Sequence, residues 1–470
     1  MEKLIFLIDS YSVFIFDYFL IISIFYIFLI LISYNSLKEF IKVITNDITV
    51  TSDYTKPISI IVPAYNESEI IVDNIESLLN LNYPQFEIIV VNDGSKDSSL
   101  EKIITHFQLR KVDIDINNQL PSEKILAVYS SFKKSNLILV DKENGGKADA
   151  LNAGINISRY PLFCGIDADC VVEKDALIKI VKPFLKHEET IAVGGIVRIA
   201  NGCTIENGKI LKAELPKKLI LKFQIIEYFR AFLTSRVGWG RVNALLIISG
   251  AFGLFKKAAV VKVGGYHKTI GEDMELTLRL HEYHRKNKIP YKVNFTSDSV
   301  CWTQVPDSLK GLKTQRTRWH IGLIDSLMTH KKMLFNPKYG TVGLLSMPYY
   351  FFVEMLGPIF EIIGYIVMII ALITGVLSKY VLLIFLLAFL YGLLFSFSAL
   401  LLEQFSYKRY QGVRNMTNLL LHCFLEQFFY RQLTVWWRVR AFIYFKRSNK
   451  QWGEIKRNSF SEKESKHETI

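Results

Sequence analysis

The sequence predicts an α/β domain with a Rossmann-like parallel sheet, inserted between transmembrane helices. Hydrophobic residues make up 50% of the 470 residues and mean hydropathy is +0.23, which is too apolar for an ordinary soluble protein. Residues 57–335 alternate short β-rich runs with helical stretches, as α/β domains do. Polar motifs follow several of these runs where predicted strands end, and that edge of an open parallel sheet binds ligands.

The charge balance and the cysteines indicate the compartment. The formal net charge of +13 is assigned to cytoplasmic surfaces that face anionic lipid, and nucleic acid is not expected as a partner. The five cysteines are an odd number, form no CxxC pair and are expected to be reduced thiols in the cytosol. They are Cys164, Cys170, Cys203, Cys301 and Cys423.

The first predicted transmembrane helix occupies residues 13–33, within an N-terminal region 1–34. A helix of this length crosses a hydrocarbon core of roughly 30 Å. Lys38 and Lys42 follow it, so the positive-inside rule predicts that the N-terminus lies outside and the α/β domain lies in the cytoplasm. Residues 35–56 are expected to be a linker.

The C-terminal third of the chain predicts a second membrane region. Residues 336–404 contain two apolar segments, with crossings expected at 358–377 and 380–402. Residues 405–447 carry charges that are costly in lipid, which favours an interfacial amphipathic helix over a third crossing there. Together these segments predict a multi-pass protein of the cell membrane with a charged tail at 448–470.

Asp167 and Asp169 are the first candidate site residues. They end an apolar run and are separated by one residue, so in an extended chain both side chains point the same way. Mg²⁺ commonly combines one or two carboxylates with the phosphate oxygens of a substrate, which predicts a diphosphate site. The alternative is a strand-to-loop corner whose aspartates only cap the turn.

Further candidates stand at neighbouring strand ends. Tyr65 and Glu67 follow the first predicted strand, Asp93 ends the second, and a Gly-Gly-Lys loop ending in Lys147 opens a helix. Separately each is explained by an ordinary turn or helix cap, and the loop lacks the spacing of a P-loop. Together they describe a nucleotide-diphosphate site.

Two helices supply the remaining candidates. Asp273 stands at the start of a predicted helix, where it is either a general base or an electrostatic cap. Gln315, Arg318 and Trp319 share a helical face on which an arginine and an indole suit a diphosphate and a sugar ring. Residues 219–236 predict either a helix on the membrane surface or an ordinary packed helix.

With these motifs assembled, the chain resembles the membrane-bound processive family 2 glycosyltransferases, which include cellulose, chitin, hyaluronan and poly-N-acetylglucosamine synthases. The resemblance covers roughly residues 57–335 and rests on segments 62–67, 91–95, 146–152, 167–169, 271–273 and 315–319. It implies a GT-A fold, a donor such as a UDP-sugar, and Mg²⁺ or Mn²⁺ as cofactor.

The resemblance also implies a role for each site residue. Tyr65 and Asp93 hold the uridine in this reading, and Glu67 joins the substrate-binding set. Lys147 and Asp167 contact the diphosphate, and Asp169 ligates the metal with Asp167. Asp273 acts as the base, with Gln315, Arg318 and Trp319 at the diphosphate and acceptor.

These features predict an inverting, metal-dependent transfer from a UDP-sugar, with UDP-N-acetylglucosamine favoured, to a growing β-linked polysaccharide at the cytoplasmic membrane face. Transfer of one sugar to a lipid carrier, and a catalytically silent membrane subunit, are the alternatives. Glu354 and Glu361 are expected to line an acceptor path on one helical face. A homodimer or a partner membrane protein is expected to complete that path.

Overall fold

The computed structural model describes residues 2–44, 55–131, 133–206, 209–375, 379–407 and 409–445. The strands in these ranges are β1 (Ile58–Ala64), β2 (Phe86–Asp93), β3 (Arg110–Val112), β4 (Ile125–Ser130), β5 (Leu137–Lys142), β6 (Leu162–Gly165), β7 (Cys170–Val172), β8 (Thr190–Ile199), β9 (Thr204–Glu206), β10 (Lys209–Lys212), β11 (Gly253–Lys256) and β12 (Lys292–Thr303).

The α-helices are α1 (Glu2–Ile44), α2 (Ile71–Leu79), α3 (Ser99–Phe107), α4 (Lys147–Ile157), α5 (Ala176–Lys186), α6 (Leu219–Phe229), α7 (Val237–Arg241), α8 (Lys257–Lys262), α9 (Glu272–Lys286), α10 (Leu309–Thr329), α11 (Met347–Tyr349), α12 (Gly357–Ile373), α13 (Lys379–Ser406), α14 (Val413–Leu425) and α15 (Tyr430–Phe445). The described part of the chain also has three π-helical segments. Arg230–Arg236 lies between α6 and α7, Val342–Ser346 precedes α11, and Tyr350–Met355 lies between α11 and α12.

The main sheet has the order β3-β4-β5-β2-β1-β6-β11-β8-β12-β7. Its central strands β5, β2, β1 and β6 are parallel, and their branched apolar side chains are buried between helices on both faces. The carboxyl ends of β1, β2 and β6 therefore share one edge, which brings Tyr65, Asp93 and Asp167 to the same side of the sheet.

The second half of the sheet differs from the sequence prediction. The apolar run at residues 247–253 has the composition of a strand, but β11 begins only at Gly253 and pairs antiparallel with β6 and β8. The preceding segment is a loop that borders the site, where an alanine Cβ at Gly250 would lie 2.9 Å from Lys147 Nζ. The absence of a side chain at Gly250 thus permits the close approach of this loop to Lys147.

Three helical segments are long and apolar enough to cross a membrane: Ser10–Lys38, Val342–Ile373 and Val381–Ser406. The expected linker from residue 35 is wrong in its first part, because α1 continues to Ile44. Residues 45–54 and the charged tail at 448–470 lie outside the described residues. No fourth span of this kind is found in the described part of the chain.

The sequence left residues 219–236 open between a membrane-surface helix and a packed helix, and it favoured an interfacial helix within residues 405–447. The described helices of both segments pack against other elements of the chain. In α6, Gln224 and Ile226 are fully buried, and the helix packs against β8, α13 and α14. Residues 413–445 form two helices, with a turn at Phe429 (φ 59°). The second, α15, packs against α10 of the α/β domain and α12 of the membrane region.

One buried ion pair ties the sheet to a membrane helix. Arg198 of β8 makes two hydrogen bonds to Glu403 of α13, Nη1 to Oε1 at 3.0 Å and Nη2 to Oε2 at 2.7 Å. The arginine also lies over the Tyr407 ring, 5.1 Å from its centroid. Such bidentate geometry fixes orientation as well as distance, so β8 and α13 are held in register.

Candidate active site

The loop after β1 turns sharply toward the loop after β2. Asn66 has a φ of 55°, a conformation that asparagine tolerates better than most residues. The Glu67 backbone N–H donates to Ser99 Oγ at 2.9 Å. Tyr65 is 40% exposed. The fold thus brings Tyr65 and Glu67 beside Asp93 at the sheet edge.

Asp93 organises the glycine-rich loop. Its Oδ1 accepts a hydrogen bond from the Gly145 N–H (3.0 Å), and its Oδ2 accepts one from the Gly146 N–H (2.7 Å). Asn144 Nδ2 donates to the Asp93 backbone carbonyl at 2.7 Å. The carboxylate is buried, so these bonds hold the start of α4, and with it Lys147, against the end of β2.

Lys142 is a residue that the sequence analysis missed. It ends β5, its side chain is 0% exposed, and Nζ lies 2.6 Å from Asp93 Oδ1 and 2.6 Å from Asp149 Oδ1. A buried ammonium needs such partners, and here it holds both carboxylates in place. The available signal was a lysine at the end of a strand whose first four residues are apolar, because a buried cation is almost always paired.

Asp167 and Asp169 follow β6, and their carboxylates lie close enough to bind one cation. One ligand atom from each, and Sγ of Cys170, all lie within 4.8 Å of one another. Lys147 Nζ is 2.6 Å from Asp167 Oδ1 and 3.5 Å from Glu272 Oε1. The two carboxylates offer the hard oxygen ligands that suit Mg²⁺ or Mn²⁺, so the residues present fit a divalent cation.

The charge states around Lys147 reflect burial and close partners. Burial alone would lower the pKa of Lys147, but the carboxylates of Asp167 and Glu272 raise it above its ordinary value. Burial raises the pKa of Glu272 to about 7, although Lys147 opposes that change. Glu272 is the second residue that the sequence analysis missed, because its charge partner lies 125 positions away in the chain.

Asp273 lies in the first turn of α9. Its Oδ1 accepts from the Met274 N–H at 2.8 Å and its Oδ2 from the Gly250 N–H at 3.3 Å. The helix terminus favours a negative charge at this place. Gly271 and Gly322 bring α9 against α10, since a Cβ at Gly271 would lie 2.9 Å from the Gly322 carbonyl oxygen. This contact sets the distance between Asp273 and α10.

The predicted helical face of α10, which carries Gln315, Arg318 and Trp319, lines the same cavity as Asp273. Gln315 is buried and Trp319 is 46% exposed, and both line the cavity together with Arg318. Arg316, which was not predicted, places its guanidinium 4.4 Å from the Trp319 ring centroid and bonds Glu227 of α6 at 2.5 Å. The stacked arginine therefore orients the indole.

One cavity of about 940 Å³ connects these groups to the membrane helices. Its lining includes Lys147, Asp167, Asp169 and Asp273 at one end and side chains of α1, α12, α13 and α15 at the other. Tyr65, Glu67 and Asp93 are not among the residues that line it. Lys147 and Asp167 thus line the cavity and lie at the same sheet edge as the loops after β1 and β2.

Glu354 and Glu361 both line the membrane end of the cavity, but they do not share one regular helix. Glu354 lies in the π-helical segment that ends at Met355, whereas Glu361 lies in α12. Each carboxylate pairs with an arginine of α15: Arg438 Nη2 is 3.3 Å from Glu354 Oε2, and Arg431 Nε is 2.8 Å from Glu361 Oε1. The expectation of one continuous face was wrong because the helix changes type between them.

The fold and the site define a glycosyltransferase of the GT-A class. The family described as glycosyl transferase family 2 matches residues 59–258, and the related glycosyl transferase family group 2 matches residues 163–402. The chain belongs to the family 2 glycosyltransferases, which confirms the family that the motifs indicated.

Named relatives agree with this assignment. The chain is 31% identical over 316 residues to the poly-beta-1,6-N-acetyl-D-glucosamine synthase of Staphylococcus epidermidis strain RP62A and 33% identical over 315 residues to that of Staphylococcus aureus strain COL. Each match covers 66% of this chain, which thus spans about 63% of the length of these relatives.

A solved structure shares the fold. The mannosyltransferase PcManGT of Pyrobaculum calidifontis, in complex with GDP-Man and Mn²⁺, superposes with a TM-score of 0.54 at 16% sequence identity. The superposition covers 93% of this chain and 99% of the mannosyltransferase chain. At this identity the likeness concerns the fold, and it confirms the predicted α/β class.

Proposed function

We propose that the protein transfers N-acetylglucosamine, with inversion, from UDP-N-acetylglucosamine to a growing β-linked polysaccharide at the cytoplasmic face of the cell membrane. The observation that carries the proposal is the single cavity, in which the Lys147 and Asp167 pair, Asp273 and the α10 face meet the membrane helices. The synthases of Staphylococcus support the choice of sugar.

The donor is bound by the loops after β1 and β2. Tyr65 offers an exposed ring for the uracil, and Asp93 and Glu67 stand at the same sheet edge. Lys142 keeps the Asp93 loop closed, so the Lys147 ammonium is held where the diphosphate arrives. Asp169 and Asp167 would hold Mg²⁺ or Mn²⁺, which when bound neutralises charge on the departing diphosphate.

Asp273 acts as the general base. Its carboxylate is fixed by two backbone N–H donors, so it is oriented before the acceptor arrives. As the acceptor hydroxyl oxygen attacks the anomeric carbon and UDP leaves from the opposite face, Asp273 takes the hydroxyl proton. One displacement of this kind inverts the anomeric configuration. Arg318 and Gln315 face the diphosphate, and Trp319 stacks the acceptor sugar.

The acceptor is proposed to reach Asp273 through the membrane end of the cavity, past Glu354 and Glu361. Their pairing with Arg438 and Arg431 supplies a polar strip between otherwise apolar helices. Three spans provide little wall for a hydrated sugar chain. We therefore expect a second copy or a partner membrane protein to complete the path.

Product size tests this function. Membranes that contain the protein are incubated with labelled UDP-N-acetylglucosamine, UDP-glucose and UDP-galactose, with and without Mg²⁺ or Mn²⁺, and the products are sized. A metal-dependent polymer from the N-acetylated donor is expected. A single labelled lipid would favour one transfer to a lipid carrier, and no turnover of any donor would favour a silent nucleotide-binding subunit.

A further inference from the structure

Most cations that line the cavity have an ion-pair partner. Lys147, Arg230, Arg316, Arg431 and Arg438 pair with Asp167, Glu426, Glu227, Glu361 and Glu354, respectively. Arg318 also has interactions in the described structure. Their ion pairs connect neighbouring helices or, for Lys147, belong to the proposed diphosphate site.

Arg236 differs from them. It lines the same cavity, yet its Nη1 is shielded from solvent and has no hydrogen-bond partner in the described structure. The ion pairs found among the described residues do not include it. A buried donor without a partner costs free energy, and an acceptor on a ligand in the cavity would remove that cost.

Packing fixes the direction of Arg236. Its guanidinium lies 3.9 Å from the centroid of the Phe232 ring, which in turn contacts Tyr228 at 5.7 Å between centroids. Arg236 ends the π-helical segment that follows α6, and π-helical turns often occur at functional sites. The side chain is therefore a rigid part of the cavity wall.

The surroundings select the kind of ligand. Burial lowers the pKa of Arg236, while Tyr350 and the Asp273 carboxylate raise it. The proposed base Asp273 therefore interacts electrostatically with this guanidinium. Asp273 and Glu272 also line the cavity and would repel a phosphate or carboxylate. A neutral group with a strong acceptor oxygen, such as an amide carbonyl, satisfies the guanidinium without that repulsion.

We propose that Arg236 forms an acceptor subsite that binds the acyl carbonyl of an N-acylated amino sugar at the growing end of the chain. The inference rests on the proposed function and adds the chemical class of the acceptor. A sugar with a free, protonated amine in place of the acetamide offers no carbonyl and brings a positive charge toward the guanidinium. The subsite therefore discriminates between the two acceptors.

Binding to the full-length protein in detergent, with UDP present, tests the subsite. Titrations use a β-linked N-acetylglucosamine oligosaccharide and the same oligosaccharide with free amines. The unaltered protein is expected to prefer the N-acetylated form. Arg236→Gln should weaken that form roughly 10- to 100-fold, the range for a hydrogen bond to a charged group, and leave UDP affinity unchanged. Arg236→Lys should recover part of the loss.

Arg241→Gln is the matched control, because Arg241 is exposed on the next turn of the same helical region. Three results would overturn the subsite. Arg236→Gln could bind the N-acetylated oligosaccharide as tightly as the unaltered protein does, it could lose affinity equally for both oligosaccharides, or the unaltered protein could bind neither. Hydrolysis of UDP-N-acetylglucosamine by the unaltered protein is measured in parallel. Absence of hydrolysis would refute the proposed function. If the unaltered protein hydrolyses the donor and Arg236→Gln binds the N-acetylated oligosaccharide as tightly as the unaltered protein does, only the subsite is refuted.

Discussion

Asp273 is the residue whose role is tested most directly. In Asp273→Asn the side chain keeps its shape and one acceptor oxygen, but it no longer takes a proton. General-base assistance is typically worth about 10²–10⁴-fold, so turnover should fall by that factor while UDP affinity stays within about twofold. Single-turnover assays with labelled donor, alongside UDP titration, provide the measurement. A parallel loss of UDP binding would indicate that Asp273 holds the fold or the donor instead.

His281 makes stability depend on pH. It is buried on α9 between the Tyr291 hydroxyl and the Leu245 carbonyl, and burial lowers its pKa from 6.5 to about 4. Above pH 6.5 both folded and unfolded states are neutral there. Between pH 6.5 and 4 only the unfolded state binds the proton, so stability falls with falling pH, by about 3 kcal/mol in total.

His281→Gln removes this proton uptake. We expect the variant to be less stable at pH 7, because its hydrogen bonds are altered, but to lose less stability than the unaltered protein between pH 7 and 5. Thermal unfolding in detergent at the two pH values gives the comparison. The exposed His187 supplies a control through His187→Gln. An equal acid loss in His281→Gln and the unaltered protein would count against the buried neutral imidazole.

Single residues were predictable where their type and position carried the chemistry. Asp167, Asp169 and Lys147 could be proposed as candidate site residues because a carboxylate pair and a Gly-Lys loop, both at strand ends, together favour a diphosphate site. Lys142 and Glu272 were missed because their roles come from partners distant in the chain. A pattern read along the sequence contains no information on such pairs until the sheet order is known.

At the scale of elements, the contact between α9 and α10 sets the position of Asp273, the proposed base, relative to α10. A Cβ at Gly322 would lie 3.0 Å from Gly271 Cα, a distance that two backbones cannot absorb without moving apart. Gly322→Ala should separate Asp273 from the Gln315 face by a few tenths of an ångström and reduce turnover several-fold, since a displacement of about 1 Å can cost about 10²-fold. UDP affinity should change little.

Thr314→Ala, on an exposed position of the same helix, provides the comparison. It should leave turnover within about twofold, because it removes no close contact with α9. Initial rates and UDP binding are measured for both variants. Normal turnover by Gly322→Ala would show that α10 can shift without disturbing the base.

Elements with strong patterns were predicted well, and those set by tertiary contacts were not. The parallel strands β1, β2 and β5 are apolar runs followed by turn residues, which sequence periodicity detects. The loop at residues 247–252 is equally apolar, but it borders Lys147 and leaves the sheet. The junctions where α-helix changes to π-helix have no sequence signature, so a continuous face through Glu354 and Glu361 was expected.

At the scale of the whole molecule, the cavity predicts that synthesis and movement of the polymer can be separated. Glu354→Gln with Glu361→Gln keeps hydrogen bonds to Arg438 and Arg431 but removes the carboxylate charges. We expect the length or amount of released polymer to fall about tenfold or more, with UDP-sugar hydrolysis reduced less than threefold. Hydrolysis and sized product are measured on the same membranes.

The apolar Ile363 of α12, exposed on the helix surface, gives the control variant Ile363→Ala. It should alter neither quantity by more than about twofold. If the double glutamine variant makes and releases normal polymer, the path does not run past these residues. The overall arrangement, an α/β domain between apolar helices, was predictable from the positions of the apolar segments and from the alternation of strand-like and helical runs between them. The packing of α15 between α10 of the α/β domain and α12 of the membrane region was not predictable, because its charged residues favoured a helix at the membrane surface.

The ion pair between Arg198 and Glu403 limits which segments of this chain could be exchanged with those of a relative. A catalytic segment exchanged between relatives without its membrane helix would carry a buried guanidinium and lose its only close carboxylate among the described residues. Removing one partner of a buried pair commonly costs about 3–5 kcal/mol, enough to unfold many domains. Recombination is thus expected to move β8 and α13 together, as one heritable unit.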